Sequence, residues 1–106
     1  MAPSLTDGST PITTTETDLF TPVTPLKYHT IWISLAPMVA ADEYTVRVYV
    51  KDAVAGAERL YTETAYVGVQ AKPAVYLAPI LMDFFKVTMQ KIAGTDRTFL
   101  WRRGES

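Results

Sequence analysis

Hydrophobic side chains recur at every second residue through most of this chain, and this spacing constrains the fold more than any other feature. The clearest run is residues 43–51, where four apolar residues alternate with four polar or amphipathic ones: Tyr44, Val46, Val48 and Val50 against Thr45, Arg47, Tyr49 and Lys51. A period of two places alternate side chains on opposite faces of a β-strand, whereas a helix requires a period near ~3.6. The run therefore predicts a strand with one face in a core and the other facing outward.

Similar segments follow one another from residue 28 onward, with turns between them. The six segments are residues 28–35, 43–51, 58–67, 74–78, 84–92 and 97–103. Residues 80–83 fit either a turn of helix or a loop that crosses between sheets. Short strands with regularly spaced turns are typical of an antiparallel β-sandwich. We therefore predict an all-β, jelly-roll-like sandwich of six to seven strands, with the seventh from residues 19–24, and a β-barrel as the alternative.

The N-terminal segment differs in composition from the rest of the chain. Residues 1–26 contain four of the seven prolines, eight threonines and three acids, and no lysine or arginine. Proline and β-branched threonine both favour an extended backbone. We therefore predict an extended N-terminal arm at residues 1–26 and a sandwich domain at residues 27–106. The arm fits a disordered tail, a segment that orders on a neighbouring subunit, or a strand along an edge of its own domain. Leu19 and Phe20 are its predicted partner-binding anchors.

The small size of the predicted domain favours association with other chains. Residues 27–106 are 80 residues, and the sequence contains no cysteine. A core of this size supplies only a small net stability, and no disulfide is available to add to it. The sequence therefore predicts a homo-oligomer or a protein that docks on a larger assembly.

Residues with catalytic chemistry are sparse in this chain. His29 is its single histidine, its five glycines are isolated, and none of its serines lies in a Gly-x-Ser-x-Gly motif. A metal site or a proton relay needs more histidine, cysteine or paired carboxylate than these patterns offer, and a phosphate-binding loop needs clustered glycines. We therefore predict no cofactor and no metal, and we predict that the protein is not an enzyme.

Charge and hydropathy argue against two further classes of protein, although the basic last hairpin keeps nucleic-acid binding as a weaker alternative. The formal net charge is −1, whereas nucleic-acid binders usually carry a strong basic excess. No apolar stretch approaches the roughly 20 residues of a transmembrane helix, and residues 1–8 lack the basic and apolar regions of a secretory leader. We therefore expect no nucleic-acid or membrane partner, and synthesis in a cytoplasm, from which the protein leaves only inside an assembly.

The two ends of the chain carry charges of opposite sign. Residues 1–26 hold three acids and no base, whereas residues 84–103 hold five bases and one acid. Ordinary surface charge would explain this asymmetry. The alternative is a contact between the acidic arm of one subunit and the basic last hairpin of the next, which would fix the register of assembly. Arg97, Arg102 and Arg103 are the predicted partner-binding residues of that hairpin.

Three aromatic residues fall on the less apolar faces of their strands: Trp32, Tyr49 and Tyr61. A flat aromatic face stacks on sugar rings, so these are the candidate ligand-stacking residues of a carbohydrate-binding or adhesive module. The same residues would also suit the core of a second sheet or a subunit interface, where Tyr and Trp are enriched.

Asparagine is absent from the sequence, and glutamine occurs only as Gln70 and Gln90. Asparagine deamidates at high temperature, so proteins of thermophiles contain less of it. This depletion is typical of a thermophilic source.

Residues 28–103 resemble small β-sandwich proteins of phage and other viral virions. The resemblance lies in an aromatic and apolar first strand at residues 28–35, in Tyr-Thr-Val-Arg-Val-Tyr-Val-Lys at residues 44–51, and in the hairpin at residues 85–99. It implies a non-enzymatic structural protein of the capsid decoration or cement type, or a component of a spike, tail or turret base, located in the virion after assembly in the host cytoplasm. Its partners would be other coat subunits, bound through the arm and the sheet edges. An accessory domain that stabilises an enzyme is a further alternative.

Overall fold

Eight β-strands make up most of the residues that the structure describes. The computed structural model describes residues 4–20, 27–51, 57–82 and 84–105, and these contain no helix. The strands are β1 (Ser4–Ile12), β2 (Thr17–Asp18), β3 (Lys27–Ser34), β4 (Glu43–Lys51), β5 (Glu58–Val67), β6 (Ala74–Met82), β7 (Lys86–Ala93) and β8 (Arg97–Glu105). Strands β4 and β5 begin and end at the residues that the alternation predicts.

The strands form two four-stranded antiparallel sheets. The first sheet has the order β1-β8-β3-β6, and the second has the order β2-β7-β4-β5. Four of the strand pairings are nested within one another, as in one long hairpin that folds over into two sheets: β1–β8, β2–β7, β3–β6 and β4–β5. This is the arrangement of an eight-stranded jelly roll. The predicted antiparallel sandwich is therefore confirmed, with eight described strands instead of six to seven.

The core lies between the inward faces of the two sheets. The fully buried side chains of the second sheet include Tyr44, Val48, Val87 and Met89, which face Ile12, Ile31, Ile33 and Phe99 of the first sheet. All eight alternate with outward residues along their strands, as the period of two requires. Phe85, directly before β7, is also fully buried.

Part of the predicted N-terminal arm belongs to this sandwich. Strand β1 pairs with β8 along its whole length, from Ser4 opposite Glu105 to Ile12 opposite Arg97, and β2 pairs with β7. Residues 4–20 therefore lie along edges of their own domain, which is the third of the alternatives for the arm. The predicted strand at residues 19–24 lies outside the described residues from residue 21 onward, and so do residues 52–56 of the turn between β4 and β5.

Strand β6 is longer than the sequence predicts. The pattern ends a strand at residue 78, before Pro79, but β6 runs to Met82. It lies at the edge of the first sheet, and its register against β3 shifts between His29 and Ile31, opposite the stretch that contains Pro79. An edge strand with an irregular register tolerates proline, because the missing N–H has no partner to lose there. Residues 80–82 are therefore part of a strand, neither a helical turn nor a crossing loop.

Candidate binding surfaces

A row of four side chains crosses the outer face of the first sheet, with one residue from each strand. Asp7 of β1 lies opposite Arg102 of β8, Arg102 lies opposite Trp32 of β3, and Trp32 lies opposite Tyr76 of β6. Directly opposite residues on one face have their Cβ atoms within about 5.5 Å. These four residues, which we call the outer row, therefore form one continuous strip of surface.

An ion pair joined by two hydrogen bonds forms one end of the outer row. Arg102 donates from Nε to Oδ1 of Asp7 at 2.6 Å and from Nη2 to Oδ2 at 3.1 Å. The hydrogen bond from Arg102 lowers the pKa of Asp7, and the same bond raises the pKa of Arg102. Both side chains are more than half exposed. The pair therefore adds little stability, because water screens exposed charges, but it fixes a donor and an acceptor side by side.

Two aromatic rings form the other end of the outer row. The rings of Trp32 and Tyr76 have centroids 4.5 Å apart and an angle of 47° between their planes. Each side chain is nearly half exposed, at 45% and 46%. The contact fixes both rings in place and leaves part of each in contact with water.

A shallow depression of about 670 Å³ lies beside the outer row. Ser34 and Ala74, two small residues, lie next to Trp32 on β3 and β6, whereas Leu5 and Leu100 project from β1 and β8. Small side chains flanked by larger ones produce the concave shape. Ligand sites in proteins are typically concave and mostly apolar, with a few polar groups that orient the ligand.

The second candidate surface is strand β5, at the edge of the second sheet. Among the described strands only β4 pairs with β5, so β5 forms an edge of the second sheet. Eight of its ten residues are exposed, whereas Tyr66 is partly buried against the core. Exposed apolar side chains include Leu60, Tyr61 and Val67, and Val69 follows at 71% exposed.

The strands at the other three sheet edges have features that disfavour pairing with a further strand. Strand β1 contains Gly8 and Pro11, β2 has only two residues, and β6 contains Pro79. Proline, short length and irregular register all weaken an edge as a template for another strand. Strand β5 has neither glycine nor proline. Its register against β4 shifts next to Tyr61, but the pairing of residues 62–67 with β4 is regular. It is the edge best suited to accept a further strand.

A polar cluster holds the N-terminal segment on the outer face of the second sheet. Glu16 accepts hydrogen bonds from the hydroxyl groups of Thr88 at 2.5 Å and Tyr49 at 2.6 Å, and lies 3.6 Å from Arg47. Burial raises the pKa of Glu16, but these hydrogen bonds and nearby charges together outweigh burial, so its pKa is lowered. Lys86 lies over the Tyr49 ring. Tyr49 is therefore occupied by contacts within the chain.

The three predicted ligand-stacking residues do not form one surface. Trp32 lies on the outer face of the first sheet, whereas Tyr49 and Tyr61 belong to the second sheet. Because the sheets pack face to face, the two outer surfaces point in opposite directions. Trp32 instead lies beside Tyr76. The alternation of side chains does not predict this contact, because it does not show which strands pair with each other.

The predicted partner-binding residues also have partners within their own chain. Leu19 and Phe20 are 3% and 8% exposed and pack in the core. Arg97 forms an ion pair with the buried Asp42, and the guanidinium of Arg103 lies 5.1 Å from the ring centre of Phe20. The fifth residue of this set, Arg102, pairs with an acid of the N-terminal segment. Acidic N-terminal and basic C-terminal residues therefore meet, but within one chain.

The carboxylate of Asp42 joins the loop before β4 to the turn between β7 and β8. It accepts hydrogen bonds from the N–H of Val39 at 3.0 Å and of Thr95 at 3.1 Å, and from Arg97. The bond from Val39 is the largest influence, and with those from Arg97 and Thr95 it lowers the pKa of Asp42 against the opposing effect of burial. Gly94, with φ of +95°, lies against this carboxylate, where a Cβ atom would collide with it.

We expect the protein to lose stability as the pH falls below about 4. Asp42, Glu16 and Asp7 all have lowered pKa values. A carboxyl group with a lowered pKa stabilises the fold fully above its ordinary pKa, and this contribution disappears as the pH falls through the lowered value. Urea unfolding between pH 7 and pH 2.5 measures the effect. Asp42→Asn should flatten the acid limb, and a stability that is constant or rises toward pH 2.5 would contradict the expectation.

The described part of the chain contains no group of three or more His, Cys, Asp or Glu residues placed to hold a metal ion. The same residues contain no helix long and apolar enough to cross a membrane. Comparison with known proteins adds no family: no family model, no curated protein and no solved structure matches this chain significantly.

Proposed function

We propose that this protein is a non-enzymatic structural protein of a virus particle, and that it assembles with copies of itself and with other coat subunits through its sheet edges. The observation that carries the proposal is strand β5, a ten-residue edge strand with eight exposed residues and a regular register from residue 62 to residue 67. The jelly-roll topology supports it by analogy, since viral capsid domains use this architecture.

A second copy of the chain is the occupant that best fits the edge of β5. Backbone edges are self-complementary: two antiparallel copies of β5, related by a two-fold axis, would join two second sheets into one. Association of this kind would add backbone hydrogen bonds along residues 62–67 of β5. Glu58 accepts a hydrogen bond from Lys86 of β7, and Glu63 accepts one from Arg47 of β4. The charges of these two acids are therefore balanced within the chain and do not oppose such pairing.

We expect the wild-type protein to form dimers or larger assemblies, and the double substitution Leu60→Lys with Val67→Lys to give monomers. In antiparallel self-pairing, the start of one β5 lies beside the end of the other, so the introduced charges would oppose each other across the pair. Multi-angle light scattering over a concentration series measures the mass. Leu100→Lys is the matched control, since Leu100 and Val67 are both 63% exposed but lie on different sheets.

Two results would count against assembly through β5. One is a wild-type protein that stays monomeric at the highest soluble concentration. The other is a double variant that is folded by circular dichroism and retains the wild-type mass. The virion part of the proposal has a separate test: particles purified from the virus that encodes this chain should contain it at a fixed ratio to the major coat protein by quantitative mass spectrometry. Its absence from such particles would refute a virion role.

A further inference from the structure

The outer row presents chemistry that the proposed assembly through β5 does not use. It lies on the other sheet, and it combines two exposed aromatic rings with an exposed ion pair beside a concave surface. We propose that the outer row is a binding site for a neutral oligosaccharide. Trp32 and Tyr76 stack on the faces of the sugar rings, and Asp7 with Arg102 bonds their hydroxyl groups.

The aromatic half of the row explains the stacking. One face of a pyranose ring carries C–H groups and is apolar, although its edges carry hydroxyls, so it packs on a flat exposed indole. Trp32 and Tyr76 expose part of their rings at a cost in free energy, because aromatic surface in water is unfavourable. Their ring centroids lie 4.5 Å apart, and this mutual contact reduces the freedom that the side chains lose on binding.

The polar half of the row explains how hydroxyl groups would be recognised. The guanidinium of Arg has five N–H groups, and Arg102 uses Nε and Nη2 to bind Asp7. The remaining donors point away from that bond, and each carboxylate oxygen of Asp7 can accept a further hydrogen bond. A sugar hydroxyl is both donor and acceptor, so two adjacent hydroxyls can bind to both members of the pair. Ser34, beside Trp32, provides another hydroxyl at the depression.

The charge of the row favours a neutral ligand over an acidic one. Asp7 and Arg102 neutralise each other in a two-fold hydrogen-bonded pair. An anionic sugar would have to approach the carboxylate of Asp7 or displace it from Arg102, and a cationic group would face the guanidinium. A neutral chain adds hydrogen bonds to the pair without breaking it.

The shape of the surface favours a small or linear ligand over a flat protein partner. The depression of about 670 Å³ lies within the range of small-molecule sites, about 300–1,000 Å³. The row crosses four strands, and neighbouring strands lie about 4.8 Å apart, so it is roughly 14 Å long. A short oligosaccharide can lie along this length and contact both halves of the row.

The test is a glycan array followed by calorimetry with the full-length protein. The probes are oligosaccharides of glucose, mannose, galactose, xylose and N-acetylglucosamine, with sialylated and sulfated chains as acidic probes. We expect binding to at least one neutral series. Trp32→Ala should weaken it about tenfold or more through the lost stacking, and Trp32→Phe should recover part of the affinity. Asp7→Asn should weaken neutral binding and increase binding to acidic probes, because it leaves Arg102 without its counter-charge.

Ile92→Ala is the matched control, because Ile92 is another exposed hydrophobic residue, at 49%, and lies on β7 of the second sheet, outside both β5 and the outer row. Its affinity should equal that of the wild type, and thermal unfolding should show that every variant is folded. The proposal is overturned if no neutral probe binds at millimolar concentration, if Trp32→Ala binds as well as the wild type, or if only acidic probes bind. It is also overturned if Trp32→Ala lowers the solution mass, since the outer row would then be an interface between copies. None of these outcomes depends on β5.

Discussion

Removal of residues 1–20 is expected to leave a chain that does not fold. The deletion removes strands β1 and β2 and with them three core side chains, Ile12, Leu19 and Phe20. Truncating a buried side chain of this size costs about 2–5 kcal/mol, and the whole stability of a small domain is about 5–15 kcal/mol. The deletion also leaves the edge of β8 without a partner. The truncated chain should show no cooperative transition in circular dichroism or urea unfolding.

The same deletion allows a complementation experiment. A synthetic peptide of residues 1–20, added to the truncated chain, should restore the β-sheet signal by pairing with β8. The control peptide carries Ile12→Asp and Phe20→Asp, which keep its length but place charges in the core. If the truncated chain unfolds cooperatively at the wild-type midpoint without any peptide, residues 1–20 are dispensable and the contacts of β1 contribute little.

Phe85→Ala is expected to lower the free energy of unfolding by about 3–5 kcal/mol, a large loss for a single substitution. Phe85 is fully buried. Its ring stacks on His29 at 5.2 Å and lies 6.1 Å from the ring of Phe20. It therefore joins β3 and the N-terminal segment to the second sheet, and alanine would leave a cavity between all three. The shift in the midpoint of urea unfolding at pH 7 measures the loss.

Leu100→Ala supplies the comparison for Phe85→Ala. Leu100 is 63% exposed on the outer face of the first sheet, so its truncation should change stability by no more than about 0.5 kcal/mol. If the free energy of unfolding of Phe85→Ala lies within that range of the wild-type value, the packing of this ring between the sheets does not contribute substantially to stability.

The alternation of side chains was sufficient to predict most of this fold. It placed β4 at its observed bounds, because a strand with one buried face needs an apolar residue at every second position. The bounds of β5 were also predicted, although none of its residues is fully buried. It missed β1, whose sequence contains Gly8, Pro11 and mostly polar residues. Strand β1 lies at the edge of the first sheet, and among its described side chains only that of Ile12 is fully buried. Its sequence therefore shows little of the hydrophobic alternation that predicts a strand.

The candidate sites were harder to predict than the fold, because they depend on which strands are neighbours. The outer row combines residues from β1, β8, β3 and β6, which are far apart in the sequence. Trp32 and Arg102 were predicted separately from their local patterns, one as a sugar-stacking residue and the other as a subunit contact. Only the register places them opposite each other. The charge asymmetry was likewise visible in the sequence, but the partner of the acidic segment proved to be the same chain.

The nested pairing of the strands has a consequence for the order in which the chain can fold during synthesis. Ser4 leaves the ribosome early, but its partner Glu105 is made after almost all of the sandwich. Strand β8 also pairs with β3, so β1 has no place in the first sheet until β8 has emerged. Long-range pairing of this kind is slow and leaves strands exposed while they wait. The hairpin of β4 and β5 can form first, and the nascent chain would therefore expose the edge of β5 before the sandwich closes.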